Sequence, residues 1–115
     1  MDRIQKLIER IRSFNREREW EIFHTPKNLS MSIAIEAAEI MEHFQWLSGD
    51  ESYNLSRDKL ELLADEIADV FIYLLNLSDK LGIDIIKEAN RKMDKNALKY
   101  PVERFKGSRK KYNEL

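Results

Sequence analysis

Leu62-Leu63-Ala64-Asp65-Glu66-Ile67-Ala68-Asp69-Val70-Phe71-Ile72-Tyr73-Leu74-Leu75 is the stretch on which the fold turns. It holds no glycine or proline, and its apolar residues recur at helical rather than alternating spacing. Glu66 and Asp69 stand three apart, so they share one face of that helix. An acid inside so apolar a run is poorly solvated, and burying it unpaired is costly. A cap at Ser56 and a stop at Gly82 frame a helix of about 25 residues, roughly 38 Å long.

Upstream, Glu36 and Glu39 repeat the spacing, with the small residues Ala37 and Ala38 between them. If the two helices face each other, four carboxylates converge, and each raises the pKa of the others. A cation relieves that repulsion. Oxygen donors in this number suit Mg²⁺, with Mn²⁺ as a substitute. The competing reading is four surface acids on amphipathic helices. One couple alone carries little weight, but two couples set against apolar faces favour a metal.

Three glycines, two prolines and the lack of any six-residue alternation predict an all-α chain, a four- to five-helix bundle subunit. The first helix is expected from Asp2 to about Glu19, with Ile4, Leu7, Ile8, Ile11 and Phe14 as its apolar stripe. The segment Trp20 to Lys27 breaks that period, and Pro26 disfavours helix at Thr25, leaving Trp20 and His24 at a helix end or on a loop. Asn28 or Ser30 is expected to cap the second helix, which continues to Trp46 or Leu47 with Ile33, Ala37, Ile40, Met41 and Phe44 in its core stripe. Ser48 to Ser52 reads as a polar loop. Asp84 caps a fourth helix that ends before Pro101. Residues 1–101 thus read as one helical domain, and 102–115 as a basic tail or an arm packed on a neighbour.

At 115 residues a single domain is expected, small enough that oligomerisation would help it. The lack of cysteine excludes disulfides, thiolate metal sites and cysteine nucleophiles. No apolar run approaches the roughly 18 residues that span a membrane, and the N-terminus lacks a signal-peptide core, so the chain reads as soluble and cytoplasmic. The net charge of −1 hides a division. Residues 36–69 carry ten acids against two bases, and residues 86–111 carry ten bases against three acids. That suits a cation and a polyanion held side by side.

Neither His24 nor His43 lies in a triad or a two-histidine metal pattern. Trp20, Phe23, Trp46 and Tyr73 offer flat walls for a nucleobase, with core packing as the alternative, favoured for Phe23. Lys92, Lys95, Asn96 and Lys99 fall at i, i+3, i+4 and i+7, on one helix face, followed by Tyr100. Such a face offers donors to phosphate oxygens. The pI of 6.2 and the lack of a helix-turn-helix signature argue against duplex nucleic acid as a partner.

Several segments together resemble the MazG superfamily of all-α nucleoside triphosphate pyrophosphohydrolases. They are Glu19 through Leu29, Glu36-Ala37-Ala38-Glu39, Phe44-Gln45-Trp46, Asp65 through Val70, Lys92 through Asn96, and Lys99-Tyr100-Pro101. The chain is most similar to the dCTP pyrophosphatase-like branch, over nearly its whole length and in the same order. The resemblance implies a subunit of a homodimer or homotetramer with sites near subunit interfaces. Glu36, Glu39, Glu66 and Asp69 would hold Mg²⁺; Trp20, His24, Trp46 and Tyr73 would recognise base or sugar; Lys92, Lys95, Asn96 and Tyr100 would engage phosphates. Glu39 or Glu36 would serve catalysis, Glu39 as proton acceptor. His43 departs from an apolar position of that branch. The implied reaction cleaves a nucleoside triphosphate, dCTP-like or modified, into monophosphate and pyrophosphate. The alternatives are an inactive helical dimerisation module of the same fold and a phosphoribosyl-ATP pyrophosphohydrolase.

Overall fold

The computed structural model describes residues 2–110, and among them every regular element is helical. Two compact units divide between Gly82 and Ile83. The first holds α1 (Arg3–Glu17), α2 (Pro26–Phe44), a 3₁₀ turn (Glu51–Tyr53) and α3 (Arg57–Lys80). The second holds α4 (Ile85–Lys99) and the single turn α5 (Val102–Phe105).

The Asp2 side chain caps α1 by accepting from the Gln5 backbone N–H at 2.8 Å. At the other end Arg18 is the last cap and Glu19 takes a left-handed conformation, φ 54°. Trp20 N–H donates to the Asn15 carbonyl at 2.9 Å and Glu19 N–H to the Arg16 carbonyl at 3.1 Å. These two bonds make a Schellman motif with glutamate where glycine is usual. A left-handed non-glycine costs about 1–2 kcal/mol. The turn folds Trp20 back onto Phe14, edge to face at 5.6 Å.

The cap of α2 is Thr25, not Asn28 or Ser30. Its hydroxyl accepts from Asn28 N–H at 3.2 Å, and its ψ of 155° is the extended conformation that Pro26 imposes on its predecessor. Proline at the first helical position gives up no bond, because that N–H has no partner within the helix. The helix ends at Phe44, short of the expected Trp46 or Leu47. Ser56 caps α3 as expected. The helix reaches Lys80, with Leu81 as its last cap and Gly82 beyond it at φ 67°. Its 24 residues span about 36 Å.

α3 packs along α2 and, over a shorter stretch, against α1. Arg12 on α1 and Asp79 on α3 form a two-pronged ion pair between those helices. The buried apolar core is thin: Ile11, Leu29, Leu63 and Leu75. Leu29 and Leu75 are 1% exposed, and truncating either to alanine should cost about 2–5 kcal/mol. The expected stripes are only partly inside, since Met41 is 70% exposed and Phe14 45%. One seam between two helices covers a narrow strip, and residues flanking the seam stay outside it. Met31, Ile35, Leu60, Ile67 and Phe71 on α2 and α3 are likewise exposed.

In the second unit the Asp84 side chain caps α4, accepting from Lys87 N–H at 3.1 Å. Tyr100 and Phe105 meet edge to face at 5.0 Å across Pro101. The segment expected as a weakly periodic tail therefore begins with a helical turn; its residues 111–115 lie outside the described ones.

Candidate functional site

α2 and α3 bring both carboxylate couples to one place. Glu36, Glu39 and Glu66 each offer a carboxylate oxygen, and the three oxygens lie within 4.8 Å of one another. All three side chains are half-buried. Glu36 Oε2 and Glu66 Oε2 are buried with no hydrogen-bond partner among the described residues. Hydrogen bonding with Glu39, then burial, then the charges of Glu39, Glu36 and Asp69 push Glu66 up to about 7. Burial raises Glu36 first, helped by a hydrogen bond with Glu39 and the charges of Glu39 and Asp69. Asp69 is the more exposed fourth member, near enough to act on both.

This donor set fits a hard divalent cation. Orphaned carboxylate oxygens with raised pKa values mark charge held ready for a positive partner. Exposed acids repel without being orphaned. Here the packing of α3 along α2 half-buries the three glutamates and takes water from them.

The same face of α3 continues away from the cluster. Glu66, Asp69, Tyr73 and Asn76 follow at i, i+3, i+7 and i+10, about 15 Å of helix. Tyr73, Asn76 and Asp69 line a cavity of about 420 Å³ whose other wall comes from α1 and the loop after it. Ile11, Phe14, Asn15, Trp20 and His24 stand on that wall. The aromatic rings interlock edge to face, Trp20 against His24 at 6.2 Å and His24 against Tyr73 at 6.5 Å. The Asn76 amide nitrogen lies 3.1 Å from His24 Nδ1. Donation from that amide makes Nδ1 the acceptor and leaves the ring proton on Nε2. Burial, with Lys80 nearby, holds the His24 pKa below its ordinary value, so the ring is neutral at pH 7.

Three of the four predicted base or sugar ligands, Trp20, His24 and Tyr73, therefore share one cavity, and Asp69 connects it to the acid cluster. Trp46 does not line it. It follows the end of α2 and is 86% exposed. Lys92, Lys95 and Asn96 lie on one face of α4, with both lysines exposed and Asn96 partly covered. Tyr100 follows that helix. Asn15 and Asn76, each 5% exposed, are cavity residues that the sequence reading missed. The only signal for them was an asparagine at an apolar-stripe spacing from other cavity residues.

A model of the MazG-like family matches residues 31–115. The rat dCTP pyrophosphatase 1 is 38% identical over 104 residues, 89% of this chain and 61% of that protein. The human dCTP pyrophosphatase 1 is 36% identical over 104 residues, with the same coverage. The chain thus spans about three fifths of the length of these curated relatives. A crystal structure of a pyrophosphatase from Archaeoglobus fulgidus superposes with a TM-score of 0.83 at 44% identity, covering 88% of this chain and 94% of that one.

Proposed function

Because the chain belongs to the MazG-like family, we propose that it is a Mg²⁺-dependent nucleoside triphosphate pyrophosphohydrolase. Its substrate is dCTP-like or a modified nucleotide, and its products are the monophosphate and pyrophosphate. The observation that carries this reading is the junction of two unlike environments on one face of α3. Half-buried acids with orphaned oxygens lie at one end, and an aromatic-lined cavity large enough for a nucleobase at the other. A nucleotide has the same polarity, with charged phosphates that travel with a divalent cation and a flat base.

Glu36, Glu39, Glu66 and Asp69 would hold the cation. Mg²⁺ bound there supplies neutralisation of phosphate charge and acidification of a water. Glu39 faces both Glu36 and Glu66, and in this proposal it accepts the proton of an attacking water. Trp20, His24 and Tyr73 orient the base, Trp46 adds an exposed aromatic face, and Lys92, Lys95, Asn96 and Tyr100 are assigned to the phosphates. The similarity to proteins named dCTP pyrophosphatase supports the substrate class.

A second copy of the chain completes the assembly in this proposal. The first unit leaves Ile35, Ile67 and Phe71 exposed beside a four-residue apolar core, an arrangement that a self-association surface explains.

The test is a panel of deoxy- and ribonucleoside triphosphates with Mg²⁺, read for pyrophosphate against orthophosphate. Monophosphate and pyrophosphate in equal amounts are expected. Orthophosphate alone, or no turnover of any nucleotide, would contradict the proposal.

A further inference from the structure

We propose that Asn15 reads the hydrogen-bonding edge of the nucleobase and thereby sets which base this chain prefers. The proposal rests on the reading of the cavity as the base site and goes beyond it by assigning discrimination to one residue.

Asn15 is a buried amide in a mostly apolar place. It stands in the last turn of α1, is 5% exposed, and lines the cavity between α1 and α3. Its backbone carbonyl is taken by Trp20 N–H, but its side-chain amide has no hydrogen-bond partner among the described residues. Its amide atoms are not among the buried unpartnered ones, so they open onto the cavity, where a ligand can reach them. The neighbouring polar group shows the contrast. Asn76 is equally buried, and its amide nitrogen faces His24. Two asparagines thus line one cavity. One is occupied in orienting an imidazole, and the other presents a free donor beside a free acceptor.

A carboxamide with both ends open matches a ligand edge that offers an acceptor beside a donor. Nucleobases carry such edges, and a side-chain amide can engage one through two bonds at once. Aromatic walls cannot supply this selectivity, since every base has a face to stack. The rings of Trp20 and Tyr73 therefore grip any base, and discrimination falls to the amide. The Schellman turn links the two tasks, because the bond from Trp20 N–H to the Asn15 carbonyl fixes the stacking ring relative to the reading group.

The experiment is calorimetric binding, with Mg²⁺, of α,β-imido analogues of dCTP, dTTP, dATP and dGTP, together with an abasic deoxyribose triphosphate. These ligands resist cleavage between the α and β phosphates. Wild type, Asn15→Ala and Asn15→Asp are compared, with helix content checked by circular dichroism. Wild type should separate its best and worst bases by about 5- to 150-fold. In Asn15→Ala that spread should fall to about threefold or less, with abasic binding unchanged. Asn15→Asp presents acceptors only, so the dCTP:dTTP affinity ratio should rise about tenfold or more, any general loss cancelling in the ratio.

A wild type that binds all four bases alike would overturn the proposal. So would an Asn15→Ala or an Asn15→Asp that keeps the wild-type ranking and spread. Pyrophosphate release from cleavable nucleotides is scored separately. Its absence in wild type counts against the enzymatic reading, whereas intact release with unchanged base ranking counts against Asn15 alone.

Discussion

The acid cluster and the aromatic cavity share one face of α3, yet they hold their polar groups in different ways. In the cluster, Glu36 and Glu66 keep oxygens buried without partners among the described residues, and their pKa values rise, Glu36 first through burial and Glu66 first through its hydrogen bond with Glu39. In the cavity His24 is held below its ordinary pKa and Asn15 and Asn76 are amides, with Arg10 and Asp69 the charged groups on the lining. Crowded, buried carboxylates call for a cation, while an amide open to the cavity suits a polar edge without net charge.

The comparison can be broken most forcefully at Glu39. Glu39→Gln removes both a metal donor and the candidate proton acceptor, and kcat for pyrophosphate release should fall by about 10² to 10⁴. Full retained activity would take the cluster out of the chemistry. On the cavity side, Tyr73→Ala or Trp20→Ala should weaken nucleotide binding by about 1–3 kcal/mol, seen mainly in KM. A kcat effect as large as that of Glu39→Gln would mean that the two regions do not divide the work.

pH separates the regions more finely. Glu66 rises from its ordinary 4.5 to about 7 in the folded protein. Between those values the folded state holds more protons than the unfolded chain, so without metal this group makes stability fall as pH rises from about 4.5 to 7. His24 works the other way. Its lowered pKa makes stability fall as pH drops through 6.5. Thermal unfolding of metal-free Glu66→Gln should therefore show a higher Tm than wild type at pH 7.5, with the gap closing toward pH 4.5. A lower Tm at pH 7.5 would remove the crowding account. The smallest expected effect lies at the left-handed Glu19. Glu19→Gly relieves about 1 kcal/mol of backbone strain, raising Tm by a few degrees.

Much of the cluster was legible in the sequence, because i, i+3 spacing points the two carboxylates of each couple the same way, although Asp69 stays exposed. The helix starts at Ser56 and Asp84 and the stop at Gly82 were legible for the same reason: capping is local chemistry. Thr25 was missed because the reading treated Pro26 only as a breaker of its predecessor, when the extended conformation it imposes is what a cap requires. The turn at Glu19 carries no glycine to announce it. Asn15 and Asn76 belong to different helices, and their meeting in one cavity depends on how α1 packs on α3, which no local pattern encodes. The exposure of Met41 and Phe14 was likewise invisible, since helical periodicity marks an apolar face without saying what covers it.

The central claim is that Glu36, Glu39, Glu66 and Asp69 form a divalent-cation site. It is tested most directly by calorimetric titration of Mg²⁺ at pH 7 in two buffers of different ionisation enthalpy. With Glu66 near 7, cation binding should displace about half a proton from that residue, making the observed heat depend on the buffer. The dependence should shrink in Glu66→Gln. Saturable binding with that proton release is the predicted result; no Mg²⁺ binding, or binding with the same heat in both buffers, would contradict it.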